Sequence, residues 1–166
     1  MTLNNFNVIH LLQAFSGGIF HISYIKKNVP LSVLKTLYST LVQPYLEYCN
    51  IVWAIHRSTA LNSLYLIQKK AVRTITSSPR NAYSAPLFHK LQILPIFNIN
   101  DLQLACFIYS ATHGLLPFYF INMFQVNSYI HTHDTRQKDK IHQIGHKLNL
   151  RKLTVTVAGP LLWNAL

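Results

Sequence analysis

Along most of this chain apolar residues recur at intervals of three and four, the spacing that lines one face of an α-helix, and strict alternation is rare. A helix is expected from about Ala14 to Lys27, ending before Pro30. Leu31, Leu34, Leu37, Tyr38, Leu41 and Val42 predict a second, which Pro44 kinks or restarts. The dense apolar and aromatic run from Tyr45 to Ile55 reads as core packing.

A third helix is expected to follow an N-cap at Ser58 or Thr59 and to run to about Thr76. At 100° per residue, Ala60, Leu61, Leu64, Ile67, Ala71, Val72 and Ile75 fall on one side, with Lys69, Lys70 and Arg73 on the other. Leu66 is the exception, lying among the basic residues. Residues 77–86 read as loop, with Ser84 and Pro86 as cap and first position of a short helix. After Leu94-Pro95 a helix is expected from about Asn98 to His113, closed by Gly114. Its apolar residues sit on every face, so it should be surrounded by its own domain or by a partner.

Beyond Phe124 the pattern weakens into a polar, basic stretch, expected to be a mobile or partner-ordered arm. Leu153 to Val157 alternates in strand fashion, and a Gly-Pro turn then leads into an apolar end. The whole predicts a mainly α chain in two lobes. Residues 1–76 are expected to form a helical bundle, and 77–166 a Pro-punctuated second part. That second part divides into a helical lobe over 84–124, a basic and partly flexible arm over 125–152, and an apolar end over 153–166.

Composition narrows the chemistry. The 166 residues carry 15 Lys or Arg against 4 Asp or Glu, a formal charge of +11. Charged residues are only 11% of the chain, under half of the roughly 25% usual in soluble domains, so much of the outside is expected to be covered by something else. Glu47, Asp101, Asp134 and Asp139 are too dispersed for a two-metal centre, which needs carboxylates converging on ions about 3.5–4 Å apart. Cys49 and Cys106 stand singly among apolar neighbours and read as buried free thiols of a reducing compartment, cytoplasmic or nuclear. Two uncharged stretches, Val8 to Ile25 and Leu102 to Ile121, have spanning length but are broken by Gly, His, Gln and Pro, which argues against a membrane.

Several strings stand in a familiar order: PLSVLKTLYSTLVQPYLEYCNIVWA at 30–54, LIQKKAVRTIT at 66–76 and SPRNAYSAPLFHKLQILPI at 78–96. GLLPFYF at 114–120, IHTHDTR at 130–136 and AGPLLWNAL at 158–166 follow. Together they resemble the C-terminal part of the reverse transcriptase of non-LTR, LINE-type retrotransposons of the jockey-like kind, over nearly the whole chain. That resemblance implies a helical thumb up to about Thr76 and a C-terminal extension after it. The Y-x-D-D signature of the family's palm is absent from this sequence. The chain is therefore expected to have no enzymatic activity of its own, although its parent family is an RNA-directed DNA polymerase. Any Mg²⁺ would belong to the missing palm, and no cofactor is expected here. The sequence fits the remnant of a 5′-truncated element or a fragment of a longer chain.

The candidate site is cationic. Lys69, Lys70 and Arg73 could lie along a nucleic-acid backbone, where phosphate contacts position a duplex without reading its sequence. Arg57, Arg80 and Lys90 extend an interval free of acids. A second backbone-binding element is the arm with Arg136, Lys138, Lys140, Lys147, Arg151 and Lys152, where Tyr129 or the histidines could stack on bases. The expected partners are an RNA or DNA backbone and the remaining reverse transcriptase domains. Solvated faces are the plain alternative for both clusters. No metal site is expected, since His131 with His133 and His142 with His146 lack the Cys pairs of closed zinc sites. Trp53 and Trp163 read as core anchors. The rival function is a small helical protein-interaction module whose basic arm serves only solubility.

Overall fold

A computed structural model of the chain describes residues 3–54, 59–133, 135–145, 147, 151 and 154–166. Ile55, Arg57, Ser58, Asp134, His146, Lys152 and Leu153 lie outside the described residues, as does the side chain of Ala60. The fold is mainly helical, as the periodicity predicts, and no β-strand occurs among the described residues. The chain forms two compact units, Met1–Ile99 and Asn100–Leu166.

The first unit contains α1 (Leu3–Ile25), α2 (Leu31–Leu41), α3 (Gln43–Glu47), α4 (Asn50–Trp53), α5 (Thr59–Ile75) and α6 (Ala85–Leu91). It also takes in the start of α7 (Ile96–Thr112). Helix α1 packs on α2, α3 and α5, and α5 packs in turn on α2 and α6. Their buried faces follow helical spacing: Phe15, Ile19 and Ile22 on α1, Leu34 and Tyr38 on α2, and Leu61, Leu64, Ala71, Val72 and Ile75 on α5. Phe88, Leu91, Ile93, Ile96 and Ile99 complete the same core. Because those later residues roof α5, the first unit continues to Ile99 instead of ending at Thr76.

Gly18 lets α1 approach the end of α2. A Cβ there would stand 2.9 Å from Val42 Cγ2 and 3.4 Å from the Leu41 carbonyl oxygen. Pro44 restarts the chain as expected, sitting in the first turn of α3, where its missing N–H costs nothing. Ser84 precedes α6 without a side-chain cap, and instead its carbonyl accepts from the backbone N–H groups of Leu87 and Phe88.

The run from Tyr45 to Ile55 is only partly core. Leu46, Asn50 and Ala54 share the buried face, whereas Tyr48 is 75% and Val52 73% exposed. Cys49 takes a left-handed conformation, φ 49°, at the break between α3 and α4, and its thiol is exposed. Trp53 is half-buried, its indole donating to the Tyr48 carbonyl at 2.7 Å.

The second unit holds the rest of α7, then α8 (Phe118–Ile121), α9 (Asn127–Ile130) and α10 (Val155–Trp163). Gly114, φ 67°, ends α7, with the Leu115 N–H donating to Ser110 and the Gly114 N–H to Ala111. Within the described residues α7 is covered on one side only. Leu104, Ile108 and Ala111 are buried, while Leu102, Cys106 and Tyr109 form an uncovered stripe, so Cys106 is exposed where burial was expected.

Residues 155–157 are helical and not a strand. Helical geometry brings Val157 and Pro160 together on the buried side, whereas a strand would have paired Val155 with Val157. The Gly-Pro pair expected as a turn lies inside α10, where Gly159 fits against Ile108 and Phe124; a Cβ would meet Ile108 Cδ1 at 3.0 Å. Trp163 is half-buried. No single helix among the described residues is long and apolar enough to cross a membrane, although the bent pair Ala85–Leu91 and Ile96–Thr112 passes on length and composition.

Candidate nucleic-acid interface

Helix α5 sorts its side chains as the helical wheel predicts. Leu61, Leu64, Ala71, Val72 and Ile75 are buried and Ile67 half-buried, while Lys70 is exposed and Leu66 is 63% exposed among the cations. The Lys69 ammonium sits 4.2 Å from the centroid of the Tyr65 ring, one turn earlier, which fixes an otherwise flexible side chain. Tyr65 in turn stacks on Phe88 at 6.1 Å and meets Phe97 edge-on at 5.2 Å. The same ring lines a depression of about 470 Å³ with Phe88, His89 and Pro95.

Arg73 has a second task that sequence spacing does not disclose. It is half-buried, and its Nε donates to the Ala82 carbonyl at 2.8 Å. Ala82 closes a turn onto Pro79, so the turn carrying Arg80 is held to α5 at Arg73. Arg80 itself is exposed, as is Lys90 at the end of α6. Sequence order places no acid between Glu47 and Asp101, so this part of the first unit carries cations without carboxylates of its own.

Gln68 was not among the expected site or core residues, yet it is completely buried on α5. Its Nε2 donates to the Tyr38 hydroxyl and to the Leu94 carbonyl, both at 2.9 Å, and its Oε1 accepts from the Ile96 N–H at 2.9 Å. Burial pushes the Tyr38 phenol up to about 12; the Gln68 hydrogen bond opposes this, and the charge of Glu47 adds to it. The position of Gln68 between Leu64 and Ala71 on the apolar arc was the available signal.

The basic arm is folded between 125 and 142. Val126 and Ile141 form an isolated antiparallel bridge, and the N–H groups of Asn127, Ser128 and His142 donate to Lys140, Lys138 and Gln125. Asn164, at the end of α10, clamps this loop: Oδ1 accepts from the Ile141 N–H at 3.0 Å and Nδ2 donates to the Ile141 carbonyl at 2.9 Å. Arg136, Lys138, Lys140, Lys147, Arg151 and Tyr129 are all exposed. Lys140 Nζ also reaches the Asn164 carbonyl at 3.4 Å.

His131 and His142 approach with ring centroids 5.9 Å apart. Among the described residues no three His, Cys, Asp or Glu side chains gather as metal ligands. No protein-family model matches the sequence, and no curated protein or solved structure matches it either.

Proposed function

We propose that this chain acts as a thumb and C-terminal extension of a retrotransposon-type reverse transcriptase, holding template and primer by their backbones for a palm that is not part of it. The reading rests on the ordered strings noted above, and the observation that carries it is α5. One face of that helix is locked into the core, and the other carries the exposed Lys70 and the half-buried Lys69, where no acid of the neighbouring sequence neutralises them. A rigid helix edge with cations opposite its packed face suits a phosphate backbone. Arg73 serves by positioning the Arg80 turn, so Lys69, Lys70 and Arg80 are the contacts proposed for the first unit. The exposed cations of the arm supply a second element.

Fluorescence anisotropy with a labelled RNA–DNA hybrid and a single-stranded RNA tests this. Binding should be indifferent to sequence and weaken steeply with salt. Lys69→Glu with Lys70→Glu should reduce the slope of log affinity against log salt by about 1–2. Unchanged affinity and slope would remove α5 from the interface. The purified chain should give no templated DNA synthesis with Mg²⁺ or Mn²⁺, and measurable synthesis would overturn the assignment of an auxiliary role.

A protein-interaction module is the competing reading, and it is favoured by the exposed aromatics Tyr24, Tyr48, Phe118 and Tyr119. It predicts that the double charge reversal leaves binding to a protein partner intact and that nucleic-acid affinity is negligible from the outset.

A further inference from the structure

The loop closed by Val126 and Ile141 surrounds a pocket of about 710 Å³ in the second unit, walled by His131, His133, Arg136, His142 and Gln143. Three imidazoles and a guanidinium at one concavity are an unusual concentration of donors in a chain this poor in charge. Arg136 is exposed and lines this pocket, and its guanidinium carries a planar fork of N–H groups. Lys138 and Lys140 follow in the same stretch, with Asp139 between them, while Asp134 lies outside the described residues.

The walls are held by groups already committed to the fold. Asn127 Nδ2 donates to the Gln137 carbonyl at 2.8 Å, which orients its amide so that Oδ1 faces His142 Nδ1 at 3.1 Å. The His142 ring is thereby held at Nδ1, and it lies edge-on to that of His131. Asn164 holds Ile141, the residue before His142, from the other side. A cationic fork, ring donors and amide-locked walls suit a tetrahedral oxyanion better than an apolar ligand. The volume also leaves room for more than the oxyanion alone.

We propose that this pocket is a phosphate site, in which Arg136 anchors a phosphate group and His131 and His133 donate to it from the walls. Taking that phosphate to be one carried by a nucleic-acid strand rests on the function proposed above. The pocket's affinity for phosphate does not.

The full chain, labelled at histidine and observed by ring-resolved NMR, separates the two. Inorganic phosphate should shift the rings of His131, His133 and His142 saturably and leave those of His21 and His89 in place. A 5′-phosphorylated dithymidine should bind about tenfold more tightly than its unphosphorylated form if the source is a strand end. Inorganic phosphate binding as tightly as the phosphorylated dinucleotide would assign the site to free phosphate. Arg136→Ala and His133→Ala, both at exposed positions, should each weaken phosphate binding by about tenfold while the remaining ring signals stay native. In the Lys69→Glu, Lys70→Glu chain the phosphate shifts should persist even where strand binding by α5 is lost. No saturable shift at the three pocket rings, or equal shifts at His21 and His89, would overturn the proposal whatever α5 does.

Discussion

Gln68 Nε2 and the Tyr38 hydroxyl meet at 2.9 Å in the interior of the first unit, joining α5 to α2 through a hydrogen bond neither helix could satisfy alone. The same amide also reaches Leu94 and Ile96, so one side chain pins the two helices to the segment that opens α7. A buried amide with both its donors and its acceptor engaged is stabilising, but deleting it strands every partner. Gln68→Leu keeps roughly the volume and orphans the Tyr38 hydroxyl and the Ile96 N–H. It should lower the unfolding free energy by about 2–4 kcal/mol. Urea denaturation measures this, and a loss below about 1 kcal/mol would show that the network contributes little.

Tyr38 also gives the fold an alkaline limit. The phenol ionises near 10 when unfolded and is pushed up to about 12 in the fold, chiefly by burial. Between those values the unfolded chain has released the proton and the native chain still holds it. Unfolding therefore becomes easier as pH rises, and the contribution is fully present only below about 10. A difference of two units corresponds to about 2–3 kcal/mol. Tyr38→Phe removes the titrating group, so the wild-type advantage over Tyr38→Phe should be constant up to about pH 9 and shrink towards pH 11. Urea midpoints of the two chains across that range provide the check. A difference independent of pH would place the phenol in contact with solvent.

Two adjacent glycines of α1 should respond oppositely to the same substitution. A Cβ on Gly17 meets no atom within 4 Å, so Gly17→Ala should gain the helix propensity of alanine, up to about 1 kcal/mol. At Gly18 the added carbon would stand 2.9 Å from Val42 Cγ2, on a buried and stiff side chain. Gly18→Ala should lose about 1–2 kcal/mol net as α1 and the end of α2 are forced apart. Thermal melts of the pair settle the sign, and stabilisation by both would mean that the two helices pack less closely at this point.

Legibility in the sequence followed the strength of the period. Helices α2 and α5 could be read nearly to the residue, because apolar residues recur at helical spacing along one arc of each, broken on α5 only by Gln68, and Pro30 and Pro44 punctuate the first of them. Helix α10 could not be read. Five alternating residues imitate a strand, and the Gly159-Pro160 pair that suggests a turn is used instead for close packing on Ile108. Cys49 and Cys106 illustrate a second limit. Apolar neighbours in sequence do not bury a residue that sits at a left-handed break or on the uncovered stripe of a helix. The cations of α5 were visible from the wheel. The hold of Arg73 on Ala82 was not, since it joins a side chain to a backbone carbonyl nine residues away and leaves no mark on composition.

The order of the basic arm depends on a residue outside it. Asn164 accepts from the Ile141 N–H and donates to the Ile141 carbonyl, and Ile141 is buried, so water cannot readily replace either bond. Asn164→Ala should leave both groups without partners at a cost of about 1–3 kcal/mol, borne mainly by local opening of the loop. Amide exchange at Ile141 should therefore accelerate by about tenfold or more, with that of Leu64 and Val72 in the first unit unchanged. Asn164→Asp keeps an acceptor for the Ile141 N–H and loses only the donor, so its exchange rate should fall between the two. Exchange at Ile141 that is the same in all three chains would mean the Val126–Ile141 bridge holds the loop by itself.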